Sequence, residues 1–93
     1  MDQIAAMRVL VAVTDEASFT KAAERLGMSR AMASKHVQDL EARLGVRLMN
    51  RTTRRVGLTA PGSAYVERCR DLLADLEAAE REATSEAAEP IGR

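Results

Sequence analysis

The side chains of this sequence that could do chemistry are cations and small hydrogen-bonding groups, concentrated between residues 18 and 60. This segment holds nine Lys and Arg residues against three acidic residues, so its net charge is +6. Residues 1–17 carry −2 and residues 61–93 carry −4, although the whole chain is formally neutral. Such segregation is typical of a nucleic-acid contact surface on a larger scaffold, although a charged segment can also be simply a solvated face.

An enzyme or a metal site is hard to build from these residues. His36 and Cys69 are the only members of their types, they lie far apart in the chain, and no Gly-rich phosphate loop is present. We therefore expect no catalytic residues, no metal and no cofactor, with His36 as an ordinary surface histidine. A single cysteine fits a reducing compartment, and neither a long apolar run nor a signal peptide is present. These features predict a cytoplasmic protein without a membrane span.

Residues 18–44 have the pattern of a helix-turn-helix. Ser18 can cap a short helix, Gly27 can close it in the left-handed conformation, and Ser29 can cap a second, longer helix that ends at Gly45. In such a motif the second helix enters the major groove of DNA. The rest of the chain is expected to support that helix.

The second helix has one predicted buried face and one predicted reading face. Apolar residues at helical spacing define the buried stripe: Ala33, Val37, Leu40 and Leu44. The N-terminal half then exposes side chains of the kind that read base edges: Arg30, Ala31, Ser34, Lys35 and Gln38. Arg can donate two bonds to guanine, Gln can pair with adenine, and Ala can touch a thymine methyl group. Because Asp39 and Glu41 make the C-terminal half acidic, we expect that half to tilt away from DNA.

The flanking segments predict a scaffold helix and a wing. Apolar spacing over residues 4–15 indicates an amphipathic helix with a purely structural role. Two short extended runs, residues 46–50 and 56–58, surround a basic stretch at residues 51–55. This arrangement predicts a two-stranded wing whose arginines reach the DNA backbone or minor groove. The alternative is a basic surface loop without a partner.

The last predicted helix begins at the cap Thr59, has Pro61 in its first turn and runs to about Ala88. Its apolar residues alternate steps of four and three, as in a coiled coil: Tyr65, Cys69, Leu72, Leu76, Ala79 and Ala83, with Leu73 beside them. Cys69 counts here as a small hydrophobic residue. A helix this long exceeds what the small domain can cover, so we expect pairing with a second subunit. A solvated, fraying tail is the alternative.

These residues resemble the N-terminal domain of LysR-type transcriptional regulators. The matching stretches are Ser18–Leu26, Met28-Ser29, Ser34-Lys35, Leu40-Glu41-x-x-Leu44-Gly45-Val46-x-Leu48, Asn50-Arg51-Thr52 and Leu58-Thr59-x-x-Gly62. The resemblance implies a winged helix-turn-helix, then a linker helix that pairs antiparallel with its twin. It implies DNA contact at Ser18, Thr20, Ser29, Arg30, Ala31, Ser34, Lys35, Arg51 and Arg54. Arg30 and Ala31 depart from the family, which often has Gln followed by Pro or Ser there.

Together these observations predict a mostly α fold of three helices and a two-stranded wing, followed by a long dimerisation helix. We expect a DNA-binding domain at 1–58, the dimerisation helix at 59–88, and at 89–93 the start of a hinge to an effector domain, as in a fragment of a longer regulator. The predicted function is sequence-specific binding of double-stranded DNA by a homodimer, or a tetramer in a full-length form, at a palindromic operator in transcription. Phosphates or the minor groove would be held by Ser18, Thr20, Arg51, Arg54 and Arg55. The competing hypothesis is a protein-interaction module that works through the last helix.

Overall fold

The computed structural model describes residues 1–51 and 56–88, and it confirms the predicted winged helix-turn-helix. The elements in chain order are α1 (Gln3–Glu16), α2 (Phe19–Leu26), α3 (Arg30–Leu44), β1 (Met49–Arg51), β2 (Val56–Leu58) and α4 (Ala60–Ala88). The two strands are antiparallel, with Met49 opposite Leu58. The predictions for Arg54, for Arg55 and for a hinge at 89–93 fall outside the described residues.

Local capping chemistry sets the boundaries of the helix-turn-helix. The hydroxyls of Ser18 and Ser29 each accept a hydrogen bond of 3.1 Å from the backbone N–H three residues further on. Gly27 and Gly45 both have φ of 73°, the left-handed conformation that closes a helix and that glycine adopts without a steric penalty. These four residues were predicted as caps, so the lengths of α2 and α3 follow directly from residue types.

The core lies where α1, α2 and α3 meet the first half of α4. Its largest fully buried side chains come from α1, α3, α4 and residues 48–49 at the start of β1: Leu10, Leu40, Leu48, Met49, Val9, Val13, Val37, Val66 and Cys69. The prediction that Leu44 completes the buried stripe of α3 is wrong, because this side chain is 39% exposed. Leu44 lies in the last turn of α3, and the chain around it, residues 42–47, is exposed throughout, so none of the described elements covers it.

The first half of α4 packs on its own domain, and this changes the predicted dimer stripe. Cys69 is 0% exposed and Leu73 is 8% exposed, and together with Val66 they face the core. Cys69 and Leu73 were predicted at a subunit interface, but in this structure they have no free surface for a partner. Burial also raises the pKa of the Cys69 thiol, which keeps it protonated and unreactive.

The second half of α4 extends beyond the domain, and the molecule measures 58 × 25 × 22 Å. Leu72 is 50% exposed, Leu76 and Tyr65 are half-buried, and Ala79 and Ala83 are exposed. Among the described residues, no helix has the length and apolar character needed to cross a membrane.

Candidate nucleic-acid interface

The predicted base-reading residues come together on one side of α3. Four of them are exposed and Ser34 is half-buried, and we call this set the reading face: Arg30, Ala31, Ser34, Lys35 and Gln38. Gln38 Nε2 donates to Ser34 Oγ at 3.4 Å, and Lys35 Nζ pairs with Asp39 at 3.1 Å. Exposed i,i+4 contacts of this kind are weak, about 0.3–0.5 kcal/mol. The side chains are therefore held near one another but can exchange these contacts for base edges.

The starts of α2 and α3 present hydroxyl groups beside the N-termini of the two helices. Thr20 is exposed in the first turn of α2, and Ser18 is the cap of the same helix. Ser29 is exposed at the start of α3. Both capping hydroxyls use an acceptor lone pair on their own helix, which leaves their O–H groups able to donate. Hydroxyl donors next to helix N-termini are suited to hold phosphate oxygens.

Phe19 connects the reading helix to the wing. Its buried ring lies beneath two guanidinium groups, with the ring centroid 5.9 Å from Cζ of Arg30 and 5.1 Å from Cζ of Arg51. Guanidinium groups are attracted to aromatic faces within about 6 Å. One aromatic side chain of α2 therefore orients a cation of α3 and a cation of β1 at the same time.

Arg51 lies differently from the other predicted DNA contacts, because its guanidinium is turned into the domain. The side chain is 26% exposed, and Nη2 lies 3.7 Å from Oε1 of Glu41. The Nε and Nη2 atoms are buried and have no hydrogen-bond partner among the described residues. The distance to Glu41 is within ion-pair range but too long for a hydrogen bond.

Glu41 has a role that was not predicted from the sequence. Its side chain is 12% exposed, and Oε2 accepts backbone N–H bonds from Leu48 at 2.8 Å and Met49 at 3.1 Å. The acidic half of α3 was expected only to tilt away from DNA, yet this carboxylate points inward to the base of the wing. One signal was available: a carboxylate one turn before a terminating glycine can accept from the N–H groups of the chain that follows.

A cluster of ion pairs lies on another side of the domain, where α1, α2 and α4 meet. Arg70 of α4 donates to Asp15 of α1 at 2.7 Å, and Arg25 of α2 lies 3.5 Å from Asp15 and 3.4 Å from Glu16. Arg70, Asp15 and Arg25 line a groove of about 340 Å³. Within residues 1–51 and 56–88, no three His, Cys, Asp or Glu side chains are grouped so that they could hold a metal ion.

This cluster predicts a pH dependence of stability. The hydrogen bond from Arg70 lowers the pKa of Asp15 below its ordinary value of 3.8, with Arg25 adding to the effect against partial desolvation. Because the folded-state pKa is depressed, the stabilisation is complete above that ordinary value and is lost as the pH falls through the lower folded-state pKa. The acid limb is the part of the curve of unfolding free energy against pH in which stability falls as the pH is lowered. Asp15→Asn should therefore make this limb less steep.

The matched control for this prediction is Asp71→Asn, which removes an exposed carboxylate of α4 outside the cluster. It should leave the acid limb close to that of the unsubstituted chain. Equal slopes for Asp15→Asn and the unsubstituted chain would contradict the assignment of the ion pair.

The sequence of this chain is similar to a known protein family and to individual bacterial regulators. The family described as "Bacterial regulatory helix-turn-helix protein, lysR family" matches residues 4–63. The chain is 48% identical over 93 residues to an HTH-type transcriptional repressor of Pseudomonas aeruginosa (strain UCBPP-PA14), covering 100% of this chain and 29% of the relative. It is 43% identical over 76 residues to the regulator CrgA of Neisseria meningitidis serogroup B, covering 82% of this chain and 25% of the relative. The chain thus spans less than a third of the length of these relatives.

Two solved structures similar to this fold contain DNA. The BenM DBD complex with catB site 1 DNA has a TM-score of 0.87 and 32% identity, and the match covers 90% of this chain and 93% of that chain. The CbnR DBD–DNA complex has a TM-score of 0.84 and 31% identity, with 90% of this chain and 97% of that chain covered.

Proposed function

This chain belongs to the LysR family of bacterial regulatory helix-turn-helix proteins, and we propose that it binds double-stranded DNA sequence-specifically as a homodimer that regulates transcription. The observation that carries the proposal is the reading face, an exposed set of cationic, amide, hydroxyl and methyl groups on the N-terminal half of α3. Such groups can distinguish base pairs in the major groove. Similar folds with DNA in their crystal structures support the same mode of binding.

The proposed contacts divide into two sets by chemistry. Base edges are read by the reading face: Arg30, Ala31, Ser34, Lys35 and Gln38. Phosphates or the minor groove are held by hydroxyls at the two helix starts and by the basic segment between the strands: Ser18, Thr20, Ser29, Arg54 and Arg55. Phosphate contacts fix the register, and base contacts supply the sequence preference.

The proposed dimer forms through α4. Leu72 is the most exposed large apolar residue of the helix, and the small side chains that follow it allow a second helix to approach closely. The other proposed interface residues that keep accessible surface are Tyr65, Leu76, Ala79 and Ala83. We assign residues 1–58 to DNA binding and 59–88 to dimerisation. A two-fold dimer then implies a palindromic operator.

Salt dependence separates this proposal from a protein-interaction module. If six or more cations meet phosphates, affinity for a duplex should fall by about 10³-fold or more between 50 and 200 mM salt, because bound counterions are released. The measurement is a fluorescence titration of labelled duplex at four salt concentrations. Absent or salt-insensitive duplex binding would instead favour the interaction module.

Arg30→Ala should weaken binding to the preferred site by about 1–3 kcal/mol and relax the preference at one base pair, since a bidentate contact to a base is lost. The measurement is affinity for a panel of duplexes that differ from the preferred site at single positions. The matched control is Arg43→Ala, which removes an exposed arginine from the last turn of the same helix. Unchanged affinity and preference in Arg30→Ala would refute its base-reading role.

A further inference from the structure

We propose that Glu41 and Arg51 are positioning residues that fix the base of the wing to the reading helix, and that Arg51 acts inside the domain instead of on a DNA phosphate. This inference rests on the proposed DNA binding and deepens it. It assigns Glu41 a role in that function, and it gives Arg51 a different role from the one that the sequence indicates.

Glu41 is the centre of this arrangement because both of its carboxylate oxygens face the wing. Oε2 accepts from the N–H groups of Leu48 and Met49, and Oε1 faces the guanidinium of Arg51. Leu48 and Met49 are themselves 1% exposed. Their N–H groups lie in a region where a lost partner would not easily be replaced by water. A residue of α3 thus determines where β1 begins.

Arg51 completes the connection from the strand side. Its guanidinium lies over the Phe19 ring while Nη2 faces Glu41, so one side chain of β1 contacts both α2 and α3. A planar guanidinium suits this double contact, because it can stack on an aromatic ring and face a carboxylate at the same time. Since Nε and Nη2 are buried, two of the three guanidinium nitrogens are out of reach of a phosphate.

The consequence is mechanical coupling between the two proposed DNA-contacting elements. β1 pairs with β2 from Met49 to Arg51, so an anchor at both ends of β1 fixes the direction of the whole wing relative to α3. The paired strands and the reading face then meet DNA as one unit. A loosened wing would weaken specific binding even though every phosphate-contacting cation were retained.

The first test compares salt slopes for two arginine substitutions in this 93-residue chain. Arg51→Met keeps an unbranched, flexible side chain and removes the charged guanidinium. We expect it to lower affinity for the preferred duplex about tenfold while the slope of log affinity against log salt stays within about 0.3 of the unsubstituted value, because no phosphate contact is lost. Arg54→Ala, the control at a proposed phosphate contact, should lower the slope by about one. A slope lowered by about one in Arg51→Met would overturn the proposal.

The second test is a double-substitution cycle. If Arg51 acts through Glu41, then Arg51→Met should change duplex affinity less than about twofold in the Glu41→Ala background. If the two residues acted independently, the fold-changes in affinity from the two substitutions would multiply. Helical circular dichroism checks folding of each variant. If Glu41→Ala does not fold, the cycle uses Glu41→Gln, which retains an acceptor oxygen for the wing amides. Multiplying effects in either cycle would contradict the coupling.

A third test needs no DNA and so separates this inference from the proposed function. Glu41→Ala should speed hydrogen exchange of the Leu48 and Met49 amides at least about tenfold relative to amides in α1, because their acceptor is gone. Asp39→Ala, which removes a carboxylate of the same helix that pairs with Lys35 alone among the described residues, is the matched control. Unchanged protection in Glu41→Ala would overturn the wing anchor. If the unsubstituted chain failed to bind any duplex, DNA binding would be refuted. The contact of Glu41 with the wing would then still be tested by hydrogen exchange.

Discussion

Gly62→Ala is expected to lower the free energy of unfolding by about 3 kcal/mol, at the upper end of the usual cost of overpacking. A Cβ atom at position 62 would overlap the backbone carbonyl of Leu48, because the first turn of α4 lies directly against the chain leading into β1. Backbone cannot rotate away as a side chain can. Thr59 also restrains this junction, since its hydroxyl accepts from the Gly62 N–H at 3.0 Å and donates to the carbonyl of Arg47 at 2.6 Å.

The matched control is Gly57→Ala in β2, where an added Cβ would meet no atom of the described residues within 4 Å. Its effect should stay within about 0.5 kcal/mol. Urea denaturation of both variants, at one fixed protein concentration, measures the difference, and equal m-values would show that the comparison is valid. If Gly62→Ala proved as stable as Gly57→Ala, the close approach of α4 to the base of the wing would be incorrect.

Leu40→Ala should destabilise the domain by about 2–5 kcal/mol, because it removes a fully buried side chain and leaves a cavity. Leu40 is 0% exposed and belongs to the face of α3 that packs into the core. The reading face lies on the same helix, so loss of this side chain should also weaken DNA binding. At about 4–8 °C per kcal/mol for a domain of this size, the fall in Tm should be easily measured.

Leu44→Ala is the control for this prediction, one turn further along α3 and 39% exposed. The same chemical change there should cost less than about 1 kcal/mol. A thermal melt followed by helical circular dichroism compares the two variants with the unsubstituted chain. Similar losses in both would mean that the last turn of α3 is covered and that the core extends beyond Leu40.

The contrast between Leu40 and Leu44 shows what the sequence could predict and what it could not. Capping by Ser18, Ser29, Gly27 and Gly45 was predicted correctly because it depends on local chemistry of the backbone. Helical periodicity identified the buried side of α3, but it carries no information on where the neighbouring elements end. Leu44 therefore fits the stripe and yet lies beyond the core.

The long-range contacts were the least predictable part. Two apolar stripes overlap on α4, and spacing alone did not distinguish the one facing its own core, with Val66 and Cys69, from the one that contains Leu72. The roles of Glu41 and Arg51 were predicted from their charges alone. Glu41 was expected to tilt away from DNA, and Arg51 was expected to bind it. Their buried contacts depend on a wing that folds back onto α3, and no local pattern encodes that approach.

The central claim is that a dimer of this chain reads DNA through α3. Selection of bound duplexes from a random pool, followed by sequencing, tests it most directly. We predict enrichment of one motif made of two inverted half-sites whose spacing is set by α4, about one helical turn of DNA or a multiple of it. Arg30→Ala should reduce the enrichment at one position within each half-site. A pool without an enriched motif, or an enriched motif lacking the inverted repeat, would contradict the account.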